Sequence, residues 1–90
     1  MDREAFEAAL QRDGYQCGTG STEANKVTPM HVHPFDARVM VTEGQITITI
    51  DGVSTTYGPG DWCSVAANTQ HAETVGAAGV SYVVGRRAAA

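Results

Sequence analysis

Apolar and polar residues alternate over much of the chain, and turn-forming residues interrupt this alternation at short intervals. Ile46, Ile48 and Ile50 alternate with polar residues, which is typical of a strand that buries one face. Asp51-Gly52 follows directly and favours a tight hairpin turn. Short strands that are separated in this way predict an all-β, antiparallel sandwich or barrel.

After Pro29 the pattern favours strands for the rest of the chain, and the clearest are at 39–42, 45–50, 53–57, 62–65, 71–75 and 80–84. We expect a tight turn at Glu43-Gly44 between the first two strands and a small-residue loop at 76–79 between the last two. Residues 15–28 are dominated by residues that favour turns and loops, so at most one weak strand is expected there.

A short helix is predicted over residues 2–12. Phe6 and Leu10 are four residues apart and therefore share one helix face, and Gly14 can end the helix. A helix this short is not stable alone in water, so this face is expected to dock onto the strands. The expected organisation is a helical segment, a barrel and a flexible tail, at 1–14, 15–87 and 88–90.

Length and composition argue against several classes of partner. Ninety residues suffice for one domain with one core. Ten acidic against six basic residues give a net charge of -4, which argues against a nucleic-acid ligand. No apolar run is long enough to span a membrane, so we expect a cytoplasmic protein with no membrane partner. Cys17 and Cys63 lack the spacing of a zinc or redox site and are expected to be reduced thiols.

The three histidines are the strongest candidates for a functional site. His31 and His33 are one residue apart at the start of a predicted strand, so their side chains are expected to point to one face. If His71 returns to the same place, three neutral imidazoles converge. That is a usual set of ligands for a divalent transition metal.

The spacing of these histidines resembles that of the two sequence motifs of the cupin superfamily. The first motif runs glycine, five residues, His-x-His, three or four residues, glutamate, six residues, glycine. The second runs glycine, five residues, proline, one residue, glycine, two residues, histidine, three residues, asparagine. The corresponding positions here are Asn25, His31, His33, Ala37 and Gly44 for the first motif, and Gly60, Ala66, Asn68, His71 and Val75 for the second.

The resemblance covers residues 25–75 and implies a small antiparallel β-barrel of the jelly-roll type with a short N-terminal helix. Asn25 and Asn68 stand where the family has glycine. Asparagine is among the residues that best tolerate a positive φ, so these two positions are expected to keep the backbone conformation of the glycines they replace.

The resemblance also leaves one metal-ligand position without a carboxylate. Ala37 stands where the family has its metal-binding glutamate, or Arg38 with the longer spacing. Asp36 lies one residue earlier and would reach the metal only if the strand register broke, because a shift of one residue reverses the face. Glu73 follows His71 by two residues and is expected on the same face. It is a candidate fourth ligand, hydrogen-bond partner of a ligating imidazole, general base or exposed rim residue.

The resemblance implies a protein that binds a divalent transition metal (Fe, Mn, Ni or Zn) through His31, His33 and His71, with Asp36 as a further candidate ligand. Three imidazoles without the glutamate resemble the iron sites of cupin-type thiol and diketone dioxygenases. This favours a dioxygenase-like enzyme for a small anionic molecule, with Glu73 as its catalytic proton shuttle, over an isomerase or lyase. The alternative is a non-catalytic cupin that binds or senses a small ligand or a metal. Unpaired strand edges in so small a barrel predict a homodimer.

Overall fold

One helix and six strands make up the protein in the computed structural model, which describes residues 1–89. Their bounds are α1 Arg3–Arg12, β1 Gln16–Thr22, β2 Val27–His31, β3 Phe35–Ile50, β4 Val53–Tyr57, β5 Trp62–Val65 and β6 His71–Ala88. The strand order is β1-β6-β3-β4, with β2 also paired to β6 and β5 to β3, and the pairs are antiparallel. The predicted all-β antiparallel jelly-roll barrel with a short N-terminal helix is confirmed.

β3 and β6 are each one long strand, and they pair with each other along most of their length. The turn expected at Glu43-Gly44 and the loop expected at 76–79 are wrong, because both segments lie inside these strands. The register of the β3–β6 pair shifts on both sides of Gly44, whose φ is 76°. A Cβ at Gly44 would overlap the carbonyl oxygen of Gly79. The glycine therefore permits a bulge that bends β3 where the sequence predicted a reversal.

The tight turn after β3 is confirmed. Asp51 and Gly52 both have positive φ, 51° and 75°, and connect the paired residues Ile50 and Val53. Two successive residues with positive φ are the requirement of the type I′ hairpin turn.

Two buried clusters lie on opposite faces of the β3–β6 pair. Inside the barrel the cluster consists of Val41, Ile46, Ile48, Val75 and Val80. On the outer face, Phe6 and Leu10 of α1 pack with Tyr15, Met40 and Val83. Phe6 and Leu10 are buried in this contact, and full burial of a Phe or Leu side chain contributes about 1.5–3 kcal/mol, so the packed helix stabilises the barrel.

The ends of α1 are capped, and its C-terminal end is tied to the barrel by charged groups. The Asp2 carboxylate accepts a hydrogen bond from the backbone N–H of Ala5 at 2.8 Å. Arg38 donates to Asp13 Oδ2 at 2.7 Å, and Arg87 donates to the Asp13 carbonyl at 2.8 Å. The hydrogen bond from Arg38 is the main cause that lowers the pKa of Asp13.

The C-terminal end of β6 remains in the sheet further than expected. Ala88 pairs with Phe35, the first residue of β3. The expected flexible tail at 88–90 is therefore wrong at its first residue, because β3 supplies a partner strand there. Ala90 lies outside the described residues. Within residues 1–89, no helix has the length and apolar character needed to cross a membrane.

Candidate metal centre

The three imidazoles meet inside the barrel, where they line a cavity of about 220 Å³. The ring centroid of His71 lies 4.2 Å from that of His31 and 4.9 Å from that of His33, while the His31 and His33 centroids are 6.2 Å apart. His71 is 3% exposed and the other two are half-buried. The structure therefore brings all three rings together.

The way in which His31 and His33 reach this place differs from the expected one. His31 is the last residue of β2, where it pairs with His71, and His33 lies in the connection between β2 and β3. The two histidines are thus not on one regular strand. The ring of His33 is instead held by Phe35, with stacked rings at a centroid distance of 4.2 Å and an interplanar angle of 8°.

All three imidazoles are held through the same nitrogen by the backbone. Each Nδ1 lies within hydrogen-bond distance of a carbonyl oxygen two residues away along the chain. The pairs are His31 with Pro29 at 2.9 Å, His33 with Phe35 at 3.0 Å and His71 with Thr69 at 2.9 Å. A carbonyl oxygen only accepts, so each Nδ1 carries the proton, and in the neutral ring each Nε2 keeps its lone pair. Histidines that bind metals use this arrangement, in which the second nitrogen donates to the protein.

The carboxylate of Glu73 lies close to two of the histidines. It is half-buried on the same face of β6 as His71, and its Oε2 lies 3.8 Å from Nε2 of His31. Potential ligand atoms of His31, His71 and Glu73 all lie within 4.8 Å of one another. Donors that bind one ion at about 2.0–2.2 Å have separations within this range. Glu73 thus supplies a carboxylate near the histidines, although Ala37 does not.

Asp36 lies on the opposite side of β3 from this group. Its Oδ1 accepts from the backbone N–H of Ala67 at 2.9 Å, and its Oδ2 accepts from Arg87 at 3.2 Å. The hydrogen bond from Ala67 is the main cause that lowers the pKa of Asp36, and the hydrogen bond from Arg87 lowers it further. The structure corrects the expectation that Asp36 is a metal ligand: the strand register is regular at this position, so Asp36 faces away from its neighbours Phe35 and Ala37.

The connection that precedes His71 is fastened to the residues around His33. Asn68 has a φ of 64° and donates its N–H to the carbonyl of His33 at 2.9 Å. The neighbouring Ala67 donates to Asp36, as described above. Asn25 also has a positive φ, 62°, so the expectation for both asparagines is confirmed. These bonds set the position of the Thr69 carbonyl that orients His71.

The rest of the cavity is mainly apolar and contains one thiol. Val39, Ile48 and Val84 are among its lining residues, together with Cys63. Burial, helped by the charge of Glu73, raises the pKa of Cys63 to about 11. This thiol is therefore protonated near neutral pH.

Arg86 is a cavity residue that lies beyond the predicted strand bounds. Tyr82, Val84 and Arg86 occupy every second position along β6 and all line the cavity. The period-two spacing was a usable signal, but it required β6 to continue past the predicted strand end at residue 84.

The protein is thus a small jelly-roll barrel whose interior brings together three histidines and a carboxylate as a candidate metal centre. The family model for the cupin domain matches residues 21–84 of this chain. The chain belongs to the cupin domain family. None of the curated proteins matches it.

Solved structures similar to this chain agree with the assignment of the fold. A cupin superfamily protein from Desulfitobacterium hafniense has a TM-score of 0.69 and 18% identity, over 84% of this chain and 68% of its own. KdgF from Halomonas sp. has a TM-score of 0.67 and 16% identity, over 80% and 68%. A structure of DMSP lyases has a TM-score of 0.74 and 20% identity, over 83% of this chain and 39% of that one. At these identities the likeness shows the fold alone.

Proposed function

We propose that this protein is a metal-binding cupin that acts as a metal-dependent enzyme on a small anionic molecule. The observation that carries the proposal is the shared tautomer of the three imidazoles. Their Nδ1 atoms donate to backbone carbonyls, which leaves three Nε2 lone pairs inside a cavity, with the carboxylate of Glu73 close to His31 and His71.

His31, His71 and Glu73 would hold the ion, with His33 beside them as a further ligand. Imidazole and carboxylate donors together suit Fe, Mn, Ni or Zn. A bound metal would supply a Lewis-acidic centre that orients and polarises a coordinating substrate. The residues around it exclude water on the apolar sides of the cavity and keep the imidazoles in one tautomer.

A dioxygenase-like reaction is the favoured chemistry. Two histidines and one carboxylate with open positions are the ligand set of non-haem iron oxygenases, and His31, His71 and Glu73 offer this set. If His33 replaces Glu73 as a ligand, the carboxylate is left to hold or move a proton next to the substrate. An isomerase or lyase would use the same groups, and a lyase activity is named for one of the structures of similar fold.

The metal content of the purified protein tests the proposal. Protein without a histidine tag is measured by elemental analysis as wild type and as His71→Ala, Glu73→Gln and Glu43→Gln. Glu43 is an exposed carboxylate on β3 and serves as the matched control for Glu73. We expect near-stoichiometric metal in wild type and Glu43→Gln and a loss in the other two. Substoichiometric metal that no substitution changes would refute the metal centre.

An oxygen-consumption screen over thiols, diketones and catechols then separates the enzyme from a non-catalytic module. Turnover that depends on the bound metal supports a dioxygenase-like enzyme. Tight metal or ligand binding without turnover of any compound would favour the alternative, a cupin that binds or senses a small ligand.

A further inference from the structure

Arg86 has an unusual environment among the arginines of this chain. Four arginines form ion pairs with carboxylates at 2.7–3.3 Å, namely Arg3, Arg12, Arg38 and Arg87. Arg86 has no carboxylate partner within residues 1–89, although it lines the cavity that holds the histidines. Among the described lining residues it is the one lysine or arginine.

The strand pairing places Arg86 on the side of the sheet that faces the cavity. Arg86 is paired with Ala37 in the β3–β6 ladder, and facing residues of an antiparallel pair project from the same side of the sheet. Both residues line the cavity, and Ala37 is 7% exposed. Ala37 contributes only a methyl group to this part of the cavity lining.

The guanidinium of Arg86 makes an aromatic contact with Phe35, another lining residue of the cavity. Its Cζ lies 5.9 Å from the ring centroid of Phe35, within the range of a cation–π interaction. The same ring stacks on His33. The Phe35 ring therefore contacts both the guanidinium of Arg86 and the imidazole of His33, while the Arg86 side chain stays exposed to solvent.

We infer that Ala37 and Arg86 form an anion-binding subsite for the carboxylate of a small substrate. The planar guanidinium matches a carboxylate with two parallel hydrogen bonds, and the small side chain of Ala37 leaves room for that group. The inference deepens the proposed function and rests on it for the second half of the ligand, a hydroxyl, thiol or carbonyl that would reach the metal. The cavity volume of about 220 Å³ is below the range of sites for drug-sized ligands and suits a small molecule.

Titration calorimetry with glycolate tests the subsite, on the metal-free protein and on the protein loaded with Zn²⁺. We expect glycolate to bind both forms, and Arg86→Gln to weaken binding about tenfold or more, since hydrogen bonds between charged groups are lost. Arg87→Gln is the matched control, because Arg87 is adjacent on β6 but pairs with Asp36 on the other face, and it should bind glycolate as wild type does. Neutral glycolamide should bind at least tenfold more weakly than glycolate for the same reason.

Two further variants keep the test independent of folding defects. Arg86→Lys keeps the charge without the planar fork and should recover only part of the affinity. Ala37→Glu places a carboxylate of the chain itself opposite Arg86 and should abolish glycolate binding to the metal-free protein while the protein stays folded by circular dichroism.

Any of three results would overturn the subsite: Arg86→Gln binds glycolate as wild type does, wild-type protein binds no glycolate with or without Zn²⁺, or glycolamide binds as tightly as glycolate. Tighter binding of inorganic phosphate than of glycolate would overturn the assignment to a carboxylate. Metal content is measured on the same samples. Glycolate binding through Arg86 in a protein that takes up no Zn²⁺ would refute the metal centre and support the subsite, whereas normal Zn²⁺ uptake with binding that ignores Arg86 would refute the subsite alone.

Discussion

His31 and His71 face each other across the β2–β6 pair, with their ring centroids 4.2 Å apart. The β2–β6 register shifts between Thr28 and His31, and this irregularity aligns the end of β2 with the start of β6. Two histidines that are forty residues apart in the chain thereby become cross-strand neighbours. The candidate metal centre therefore depends on the pairing of β2 with β6. Substitutions that weaken this pairing are expected to move His31 away from His71.

The docking of α1 is expected to depend on Leu10. This side chain is fully buried against the outer face of the β3–β6 pair. Leu10→Ala should lower the free energy of unfolding by about 2–5 kcal/mol, because it removes buried carbons and leaves a cavity. Urea denaturation measures the change, with Gln11→Ala on the exposed face as the control. Equal stability of the two variants would show that the helix does not dock as described.

The bulge in β3 is expected to be intolerant of any side chain at Gly44. Gly44→Ala combines a positive φ with overlap of the Gly79 carbonyl. Gly52→Ala is the matched control, since Gly52 has a similar φ of 75° but open space around it. The control should cost about 1–2 kcal/mol of unfolding free energy and Gly44→Ala clearly more. Similar costs in urea denaturation would contradict the close approach of β3 and β6.

Stability is expected to fall in acid through Asp13 and Asp36. Arg38 lowers the pKa of Asp13, and the Ala67 N–H and Arg87 lower that of Asp36, both from an ordinary 3.8. With a folded-state pKa below the unfolded one, each carboxylate stabilises the fold above the unfolded pKa, and this contribution is lost as pH falls through the folded pKa. Asp36→Asn should therefore have a lower urea midpoint than wild type near pH 7, and the gap should close below pH 3.8. A gap that persists in strong acid would argue against the ionised contacts.

The two cysteines are expected to differ in reactivity. Burial raises the pKa of Cys63 to about 11, whereas Cys17 is exposed on β1. Since the thiolate is the nucleophile, iodoacetamide near pH 8 should modify one site per chain in the folded protein and two after unfolding. Mass spectrometry of wild type and Cys17→Ser measures this. Rapid alkylation of folded Cys17→Ser would show that Cys63 is accessible.

A homodimer through β2 is expected from its surface. Val27, Met30 and Val32 are 66%, 52% and 50% exposed, on β2 or directly after it. Val27→Glu should shift sedimentation equilibrium toward the monomer, because a charge in an apolar contact is costly to desolvate. Val53→Glu is the control, since Val53 is also 66% exposed but lies at the β4 hairpin. A monomeric wild type at micromolar concentration would contradict the prediction.

Local features of the sequence predicted much of the fold. The Asp51-Gly52 turn, the helix with its Phe6–Leu10 face and the positive φ of Asn25 and Asn68 all depend on residues close together in the chain. Glu43-Gly44 was interpreted wrongly because glycine with positive φ serves both tight turns and bulges. Only the pairing of β3 with β6 over its whole length decides between the two, and that pairing is not visible in either strand alone.

The sequence also predicts part of the candidate site, namely its three histidines. The three histidines are recognisable by their spacing, whereas Asp36 would reach the metal only through a register break that the structure does not contain. Arg86 was missed because its position depends on pairing with Ala37, some fifty residues earlier. Such contacts between distant segments are set by strand register.

The three bonds from imidazole Nδ1 to backbone carbonyls have one more consequence. The rings acquire their orientation when the barrel folds, so the conformational entropy of aligning them is lost at that stage and not when an ion arrives. An entering ion would find its donors already turned toward it, and metal uptake should proceed without backbone rearrangement. The affinity of such a preorganised site is then governed by the chemistry of the ion and by how many waters it must shed.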